Sequence, residues 1–356
     1  MDKWLMGSTK LLWHMDRVDA MLKDQYIAPI LIDIGATKKC NFACKYCYGQ
    51  YQRMTNEVIP GDILVKLCAD APRLGVKAMT FTGDGEPALN PAIYDAVQAG
   101  KANGLDISFA TNGYAINQIQ NEVLMRNLVW CRYNFSAGTD ESYSRVHGVK
   151  AGVFNKVLEN IATSVEIKHR LGLPVTIGLQ MVLIPDCIHE VPKVVKIALD
   201  YGVDYFVIKQ FSDPGNLMKL HYDQAVVDTE DWRKILREAE AASTDKTQII
   251  VKWPHLERKG RREYDRCVDC ALIFQISGNS RCYPCGYLFN NEEYCYGDLK
   301  KQSLQEILES DRYWSIVRRM RTEFNVHTQC EGSCRHDSTN LFVWNYMHKP
   351  EHLNFI

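Results

Sequence analysis

Three thiols share one short stretch of the chain, Lys38-Lys39-Cys40-Asn41-Phe42-Ala43-Cys44-Lys45-Tyr46-Cys47. The spacing CxxxCxxC lets a single loop present three thiolates, enough to hold three irons of a cubane cluster. The loop has no fourth cysteine, so one iron keeps an open coordination position. By analogy with zinc sites, an open position marks chemistry and a closed one marks structure. Spacing alone also admits a zinc site or three incidental core cysteines.

Cysteine is plentiful elsewhere, with 13 residues in a chain of 356. A second group comprises Cys267-Val268-Asp269-Cys270, Cys282-Tyr283-Pro284-Cys285, Cys295 and the pair Cys330 and Cys334. Clustered cysteines in a reducing compartment point to metal or redox chemistry and away from disulfides. CxxC pairs also suit a tetrahedral zinc site. Cys68 falls on an apolar helix face and Cys131 inside a strand, where small hydrophobes are expected.

The elements that must position these groups alternate. Strands are expected over 30–36, 78–82, 106–110, 129–135, 175–183 and 205–209. Helices are expected over 61–74, 91–103, 153–171 and 191–201. Gly104 suits the end of the second helix. This order implies parallel βαβ units closing into a partial (β/α)6 TIM-like barrel, an α/β fold with its chemistry at the C-terminal strand ends. The domain division follows: 1–29 an N-terminal extension, 30–215 the partial barrel, 216–250 a connecting helical segment, and 251–356 a cysteine-rich domain. Within the last, one clear helix is expected, from Ser303 to Leu308 or beyond.

The cysteine loop after strand one, with Tyr46 just before the third cysteine, resembles the radical S-adenosylmethionine (radical SAM) superfamily signature. The resemblance implies that the open iron binds the amino and carboxylate groups of SAM. Reductive cleavage then gives methionine and a 5′-deoxyadenosyl radical that abstracts hydrogen from an unactivated C–H bond. Further motifs sit at strand ends. Gly83-Asp84-Gly85-Glu86-Pro87 is similar to the family's GGEP-like turn, whose glycines admit close ligand approach and whose carboxylate could meet the SAM ammonium. Thr111-Asn112-Gly113 also resembles the family. The family's Ser-x-Asp is absent after strand four, where Asn134 and Ser136 take the two polar positions. Tyr46, Gly83, Gly85, Glu86, Thr111, Asn112, Asn134, Ser136 and Gln180 are therefore the expected SAM contacts. Arg145 and His147 are read as structural. Lys209 and Gln210 are polar candidates facing substrate. Cys187 follows strand five, where a thiol could return hydrogen to a substrate radical, although a buried structural thiol is the stronger reading. Cys187 and Lys209 are the candidate catalytic residues.

The C-terminal order of cysteines, turn, Tyr-Pro-Cys and final pair looks like the SPASM or twitch extension, which holds auxiliary iron–sulfur clusters. It is less cysteine-rich near its end than a full SPASM extension, so one auxiliary [4Fe–4S] cluster is expected, with room for a second. Cys270, Cys285, Cys330 and Cys334 are the first choice of ligands, and Cys267 and Cys282 compete with them.

The chain is 46% hydrophobic and 24% charged, with a net charge of −1, which argues against a nucleic-acid surface or polybasic membrane anchor. The basic clusters Arg258–Arg262 and Arg318–Arg321 read as solvated faces. No apolar run is long enough to span a bilayer, and Lys3, Lys10 and Asp16 break any signal-peptide pattern, so a cytoplasmic protein is expected. Three readings follow. The first is a radical SAM enzyme acting on a small polar molecule, such as a sugar or amino sugar, by dehydrogenation, epimerisation or dehydration, with a flavodoxin- or ferredoxin-type electron donor. The second is a peptide-modifying maturase, weakened because only 39 residues precede Cys40. The third is a non-enzymatic iron–sulfur or zinc module.

Overall fold

A computed structural model describes residues 8–47, 49, 55–211, 229–258, 261–330 and 334–355. Most of the expected connection between the barrel and the following helix, and 331–333 within the last cysteine pair, lie outside the described residues.

Six strands lie where the hydrophobic runs place them: β1 Leu31–Ile34, β2 Ala78–Phe81, β3 Asp106–Thr111, β4 Trp130–Asn134, β5 Thr176–Leu183 and β6 Tyr205–Gln210. Each is parallel to the next. The sheet does not stop there. β7, Gln248–Val251, joins β6 in parallel, and β8, Ile273–Ile276, joins the free side of β1 in parallel. β9, Arg281–Tyr283, and β10, Gly297–Asp298, add an antiparallel meander to β8. The order is therefore β10-β9-β8-β1-β2-β3-β4-β5-β6-β7. The sheet has open ends, so this is a partial barrel of α/β type, enlarged by one parallel strand beyond six and sharing its sheet with the C-terminal region.

The two faces of the sheet differ in chemistry. Ile32, Ile34, Met79, Phe81, Ile107, Phe109, Cys131, Tyr133, Leu179, Met181, Phe206 and Ile208 pack into the main core. Strand alternation turns the intervening residues to the other face: Asp33, Thr80, Ser108, Arg132, Asn134, Gln180, Lys209 and Gln275. That face lines the lumen. Its curvature follows from one contact: Arg335 lies 2.6 Å from Asp33 on β1 and yet sits close enough to Lys252, just past β7, to depress its basicity. On a flat sheet β1 and β7 would stand about 29 Å apart, so the sheet must curl to bring them together.

Helices cover the outer face. Gly61–Leu74, Val153–Arg170 and Val191–Tyr201 match expectation closely, and Ile93–Ala102 is slightly shorter. Gln118–Asn127 was not legible, because its polar sequence lacks a clear apolar stripe; it is started by an Asn117–Gln120 capping box. In the C-terminal region Leu304–Glu309 begins at Ser303 as expected, and two longer helices follow, Asp311–Thr322 and Asp337–Met347. The basic clusters are tie points more than solvated faces. Arg321 bonds the Met21 carbonyl and Asp24, and Arg258 pairs with Asp337 at 2.8 Å.

The barrel and the cysteine-rich region are joined through Asp84. Its Oδ2 accepts the Ser277 hydroxyl at 2.5 Å and the Gly278 N–H at 2.8 Å, all buried. Asp84→Ala strands both donors away from water. It should lower the unfolding free energy by roughly 3 kcal/mol, measured by denaturant titration of the reconstituted protein.

Candidate active site

The first cysteine loop is gripped from two sides. Ala43 N–H and Lys45 N–H donate to the carbonyls of His147 and Val146, at the end of helix Asp140–His147, at 3.1 and 2.9 Å. On the other side the Glu86 N–H donates to the Lys39 carbonyl at 2.8 Å. Cys40, Cys44 and Cys47 are part-exposed thiols on this loop. Among the described residues no three His, Cys, Asp or Glu side chains converge tightly enough to chelate a single metal ion. Spread thiols on one loop suit the corners of a cluster better than one tetrahedral ion.

His147 was set aside as structural from sequence, and the structure gives it a specific partner. Its Nε2 accepts the Ser136 backbone N–H at 3.1 Å. The ring proton must then sit on Nδ1, which lies 3.2 Å from Cys44 Sγ and 3.4 Å from the Tyr46 hydroxyl. Burial lowers the imidazole pKa to about 3, so the ring stays neutral. Tyr143 stacks on it at 4.1 Å. The only sequence signal was a histidine closing a helix after strand four.

Glu86 is buried, and its carboxylate is already engaged by the chain. Oε1 accepts the Thr111 hydroxyl at 2.6 Å and the Ala88 N–H at 3.1 Å, and Oε2 accepts the Asn112 N–H at 2.7 Å. Thr111 Oγ1 in turn accepts the Gly113 N–H, and the Asn112 side-chain amide donates to Asn41 in the cysteine loop at 2.8 Å. Glu86, Thr111 and Asn112 thus lock the turns after β2 and β3 to the cysteine loop. Gly85 has no room for a side chain: a Cβ would stand 2.1 Å from the Lys39 carbonyl oxygen. Gly83 carries φ +121° against Gly35.

Asn134 and Gln180 face the lumen and bond each other at 2.9 Å. Ser136 is fully buried, and its hydroxyl accepts the Val182 N–H at 3.1 Å. It braces β4 against β5. The expected role of Cys187 is corrected. Its thiol is sealed in the core, donates at 3.5 Å to the Val182 and Ile184 carbonyls, and is pushed up to about 12 by burial. Hydrogen return from it has no path. Lys209 does line the lumen, and burial together with Arg132 and Lys252 lowers its pKa to about 7.

The C-terminal thiols sort into two sets. Cys267 is hydrogen-bonded to Cys270 and feels Cys334, while Cys285 and Cys334 both feel Cys330. These five influence one another electrostatically and so lie in one neighbourhood. Cys282 does not: it sits on β9 with its side chain in the apolar core, beside Cys295. Cys285 lies beyond the end of β9, past Pro284, and is part-exposed. The Cys267–Cys270 turn is braced by Asn340 Oδ1, which accepts the Val268 and Asp269 N–H groups at 2.6 and 3.1 Å, and by His336 against Asp269 at 3.1 Å.

Residues 34–198 match the radical SAM superfamily, and residues 267–335 match the SPASM iron-sulfur cluster-binding domain. The chain thus carries a radical SAM domain over residues 34–198 and a SPASM-type domain over 267–335. A relative from Pyrococcus furiosus, the tungsten-containing aldehyde ferredoxin oxidoreductase cofactor-modifying protein, is 24% identical over 296 residues, 78% of this chain and 80% of that one. A probable GTP 3′,8-cyclase of Thermococcus kodakarensis is 29% identical over 44% of this chain, which spans about half (51%) of that relative. Among solved structures, Streptococcus suis SuiB bound to S-adenosylmethionine superposes with TM-score 0.66 at 15% identity, covering 87% of this chain and 73% of that one. Native anSMEcpe with bound AdoMet superposes with TM-score 0.61 at 16% identity, covering 90% and 98%. The cofactors are accordingly SAM, a [4Fe–4S] cluster with an open site, and auxiliary iron–sulfur. Among the described residues no helix is long and apolar enough to cross a membrane.

Burial pushes the Glu86 carboxyl up to about 7 from 4.5. A folded pKa above the unfolded one means its contribution is complete below about pH 4.5 and is lost as pH rises through about 7. Relative to Glu86→Gln, the parent should therefore lose up to about 3 kcal/mol across that window, read from denaturant titrations at several pH values. The same variant puts an amide against donors that now meet a carboxylate. It should weaken SAM binding by about tenfold with iron content intact, checked by equilibrium dialysis.

Proposed function

We propose that the chain uses Cys40, Cys44 and Cys47 to hold the SAM-binding cluster and abstracts hydrogen from a small polar substrate seated in the lumen. Bound SAM, on one-electron reduction, supplies the 5′-deoxyadenosyl radical; a flavodoxin- or ferredoxin-type protein is the donor that suits it. Glu86, Thr111 and Asn112 keep the SAM-side turns in register with the cysteine loop. Asn134 and Gln180 offer polar atoms to SAM or substrate from the lumen wall. The observation that carries the small-substrate reading is the wall itself, where Asp33, Thr80, Ser108, Arg132, Asn134, Gln180 and Lys209 stand among a few apolar residues such as Val182 and Val207 while the opposite face of these strands is apolar. The relative from Pyrococcus furiosus, named for modifying a cofactor, and the GTP cyclases, named for a nucleotide, agree with it. A sugar or amino sugar remains within this class, as do dehydrogenation, epimerisation and dehydration.

Peptide modification is the second reading, favoured by SuiB having been solved with its precursor peptide. At 14% identity that likeness speaks for the fold. Comparing 5′-deoxyadenosine formation with pools of small polar metabolites and with peptide pools decides between the two. Stimulation by peptides alone would overturn the small-substrate reading.

For the auxiliary site we assign Cys270, Cys285, Cys330 and Cys334, with Cys267 as the alternative fourth thiol, to one cluster. Cys282 and Cys295 are left out. Replacing Cys40, Cys44 and Cys47 together by Ala should abolish SAM cleavage and leave about four irons and four sulfides per chain, measured by metal and sulfide analysis with Mössbauer spectroscopy. Stoichiometric zinc in their place would refute the auxiliary assignment. The His147 Nδ1–H aimed at Cys44 should stabilise the reduced cluster, because hydrogen bonds to ligand sulfur raise reduction potential. His147→Phe should shift the midpoint potential of the SAM-binding cluster to more negative values in an EPR-monitored redox titration, with cluster content retained.

A further inference from the structure

Among the described residues, charge in the lumen does not balance. Asp33 of β1 is its buried carboxylate, and Arg335 pairs with it at 2.6 Å. Three further cations share the space: Arg132 on β4, Lys209 on β6 and Lys252 just after β7. Alternation puts all three on the polar face. Cys131 and Tyr133 flank Arg132, Phe206 and Ile208 precede Lys209, and Ile249 and Val251 precede Lys252; of these flanking residues, each belongs to the opposite, apolar face. Among the described residues none of the three cations forms an ion pair with a carboxylate, and the Arg132 Nε has no hydrogen-bond partner.

They are close enough to act on one another. Lys209 is depressed by burial and then by Arg132, Lys252 and Arg335; Lys252 is depressed to about 8 by burial and then by Arg132 and Arg335. Each keeps partial exposure, so the three line a space and are not sealed into packing. Like charges held together away from bulk water are costly unless an anion completes the site. A single carboxylate, such as that of SAM, would leave two of the three charges uncompensated. A phosphate dianion or a diphosphate would not. The fork of Arg132 and the compact ammonium groups of two lysines are the donors that phosphate oxygens accept well. Lys209 also feels Cys47, which sets the site beside the SAM-binding cluster.

We propose that Arg132, Lys209 and Lys252 bind a phosphate or diphosphate group of the substrate, anchoring it in the lumen within reach of the radical. This rests on the small-substrate reading above and narrows it to phosphorylated molecules. Neutral sugars and peptides lack the anion.

The test is calorimetric titration of the anaerobically reconstituted, SAM-saturated protein with inorganic pyrophosphate and with orthophosphate. The parent should bind pyrophosphate, and more tightly than orthophosphate if a diphosphate is the group, or no more tightly if a monoester is. Lys209→Met and Lys252→Met should each weaken this binding by about tenfold or more, while SAM affinity stays within about twofold and iron content is unchanged. Lys252→Arg keeps the charge and should retain binding. Two results would overturn the proposal: a parent that binds neither anion, or Met variants that lose SAM affinity and keep pyrophosphate affinity, which would assign the cations to the SAM carboxylate. The radical reading is judged separately, by 5′-deoxyadenosine formation in the same preparations. A parent that cleaves SAM yet binds no phosphate would sink this site alone.

Discussion

The molecule depends on how closely three backbone segments approach one another beside the first cysteine loop. A Cβ on Gly85 would lie 2.1 Å from the Lys39 carbonyl oxygen, and one on Gly278 would lie 2.3 Å from the Thr37 carbonyl carbon. The turns after β2 and β8 therefore close on the segment leaving β1 with no side chain between them. Real Cβ atoms do not sit so near backbone, and the atoms they would meet cannot swing away. From this contact follow the Glu86 N–H bond to Lys39, the Asp84 bonds to Ser277 and Gly278, and so the placement of the SPASM-type region against the barrel. Cluster loop, SAM-side turn and auxiliary region are one packed unit.

That packing also explains why Glu86 serves as a brace. A carboxylate held away from water needs donors, and the chain supplies them from Thr111, Asn112 and Ala88. Its function is to keep the turns after β2 and β3 from separating. The same logic applies to His147, whose two nitrogens are committed in opposite directions, one to the Ser136 backbone and one to Cys44. Because one nitrogen must accept, the other must donate. The tautomer, and with it the hydrogen bond toward the ligand sulfur, is set by the strand that ends in Ser136.

Strand and helix positions in the barrel were legible because each carried a strong period: apolar runs for β1 to β6, and residues Val153, Val157 and Ile161 for the longest helix. The loop thiols were legible because their spacing has few other uses. What could not be read was anything fixed by pairing at a distance. β7 is four residues with weak alternation, and only its register with β6 makes it a strand. β8 joins β1 across more than two hundred residues, so the cysteine-rich region shares the barrel's sheet. Cys282 and Cys285 look equivalent in sequence, but Cys282 lies on β9 and Cys285 beyond its end. Cys187 lies at the right end of the barrel but points into the core, a choice made by the turn that follows β5 and invisible in Ile184-Pro185-Asp186-Cys187.

The lumen shows how one alternation can serve two purposes. Each parallel strand spends every second residue on the core that helices cover, and this burial supplies the driving force for the fold. The other residues are free of that duty, and on β1, β4 and β6 they include Asp33, Arg132 and Lys209. Polar groups facing an enclosed space would be a liability in a protein with no ligand for them, since an apolar wall would pack at least as well. Thr80 and Ser108 satisfy each other across β2 and β3, and Asn134 and Gln180 across β4 and β5, so those pairs need no visitor. Among the described residues Arg132, Lys209 and Lys252 form no ion pair with a carboxylate, and Arg132 lies 5.2 Å from the Trp130 ring. The pairs that satisfy themselves lie on β2 to β5, and the unbalanced charge among the described residues runs from Arg132 on β4 to Lys209 and Lys252 at β6 and β7. On the phosphate site proposed above, a substrate would be oriented by its charge, with its anionic end held by Arg132, Lys209 and Lys252 and its remainder lying across the polar residues of the neighbouring strands.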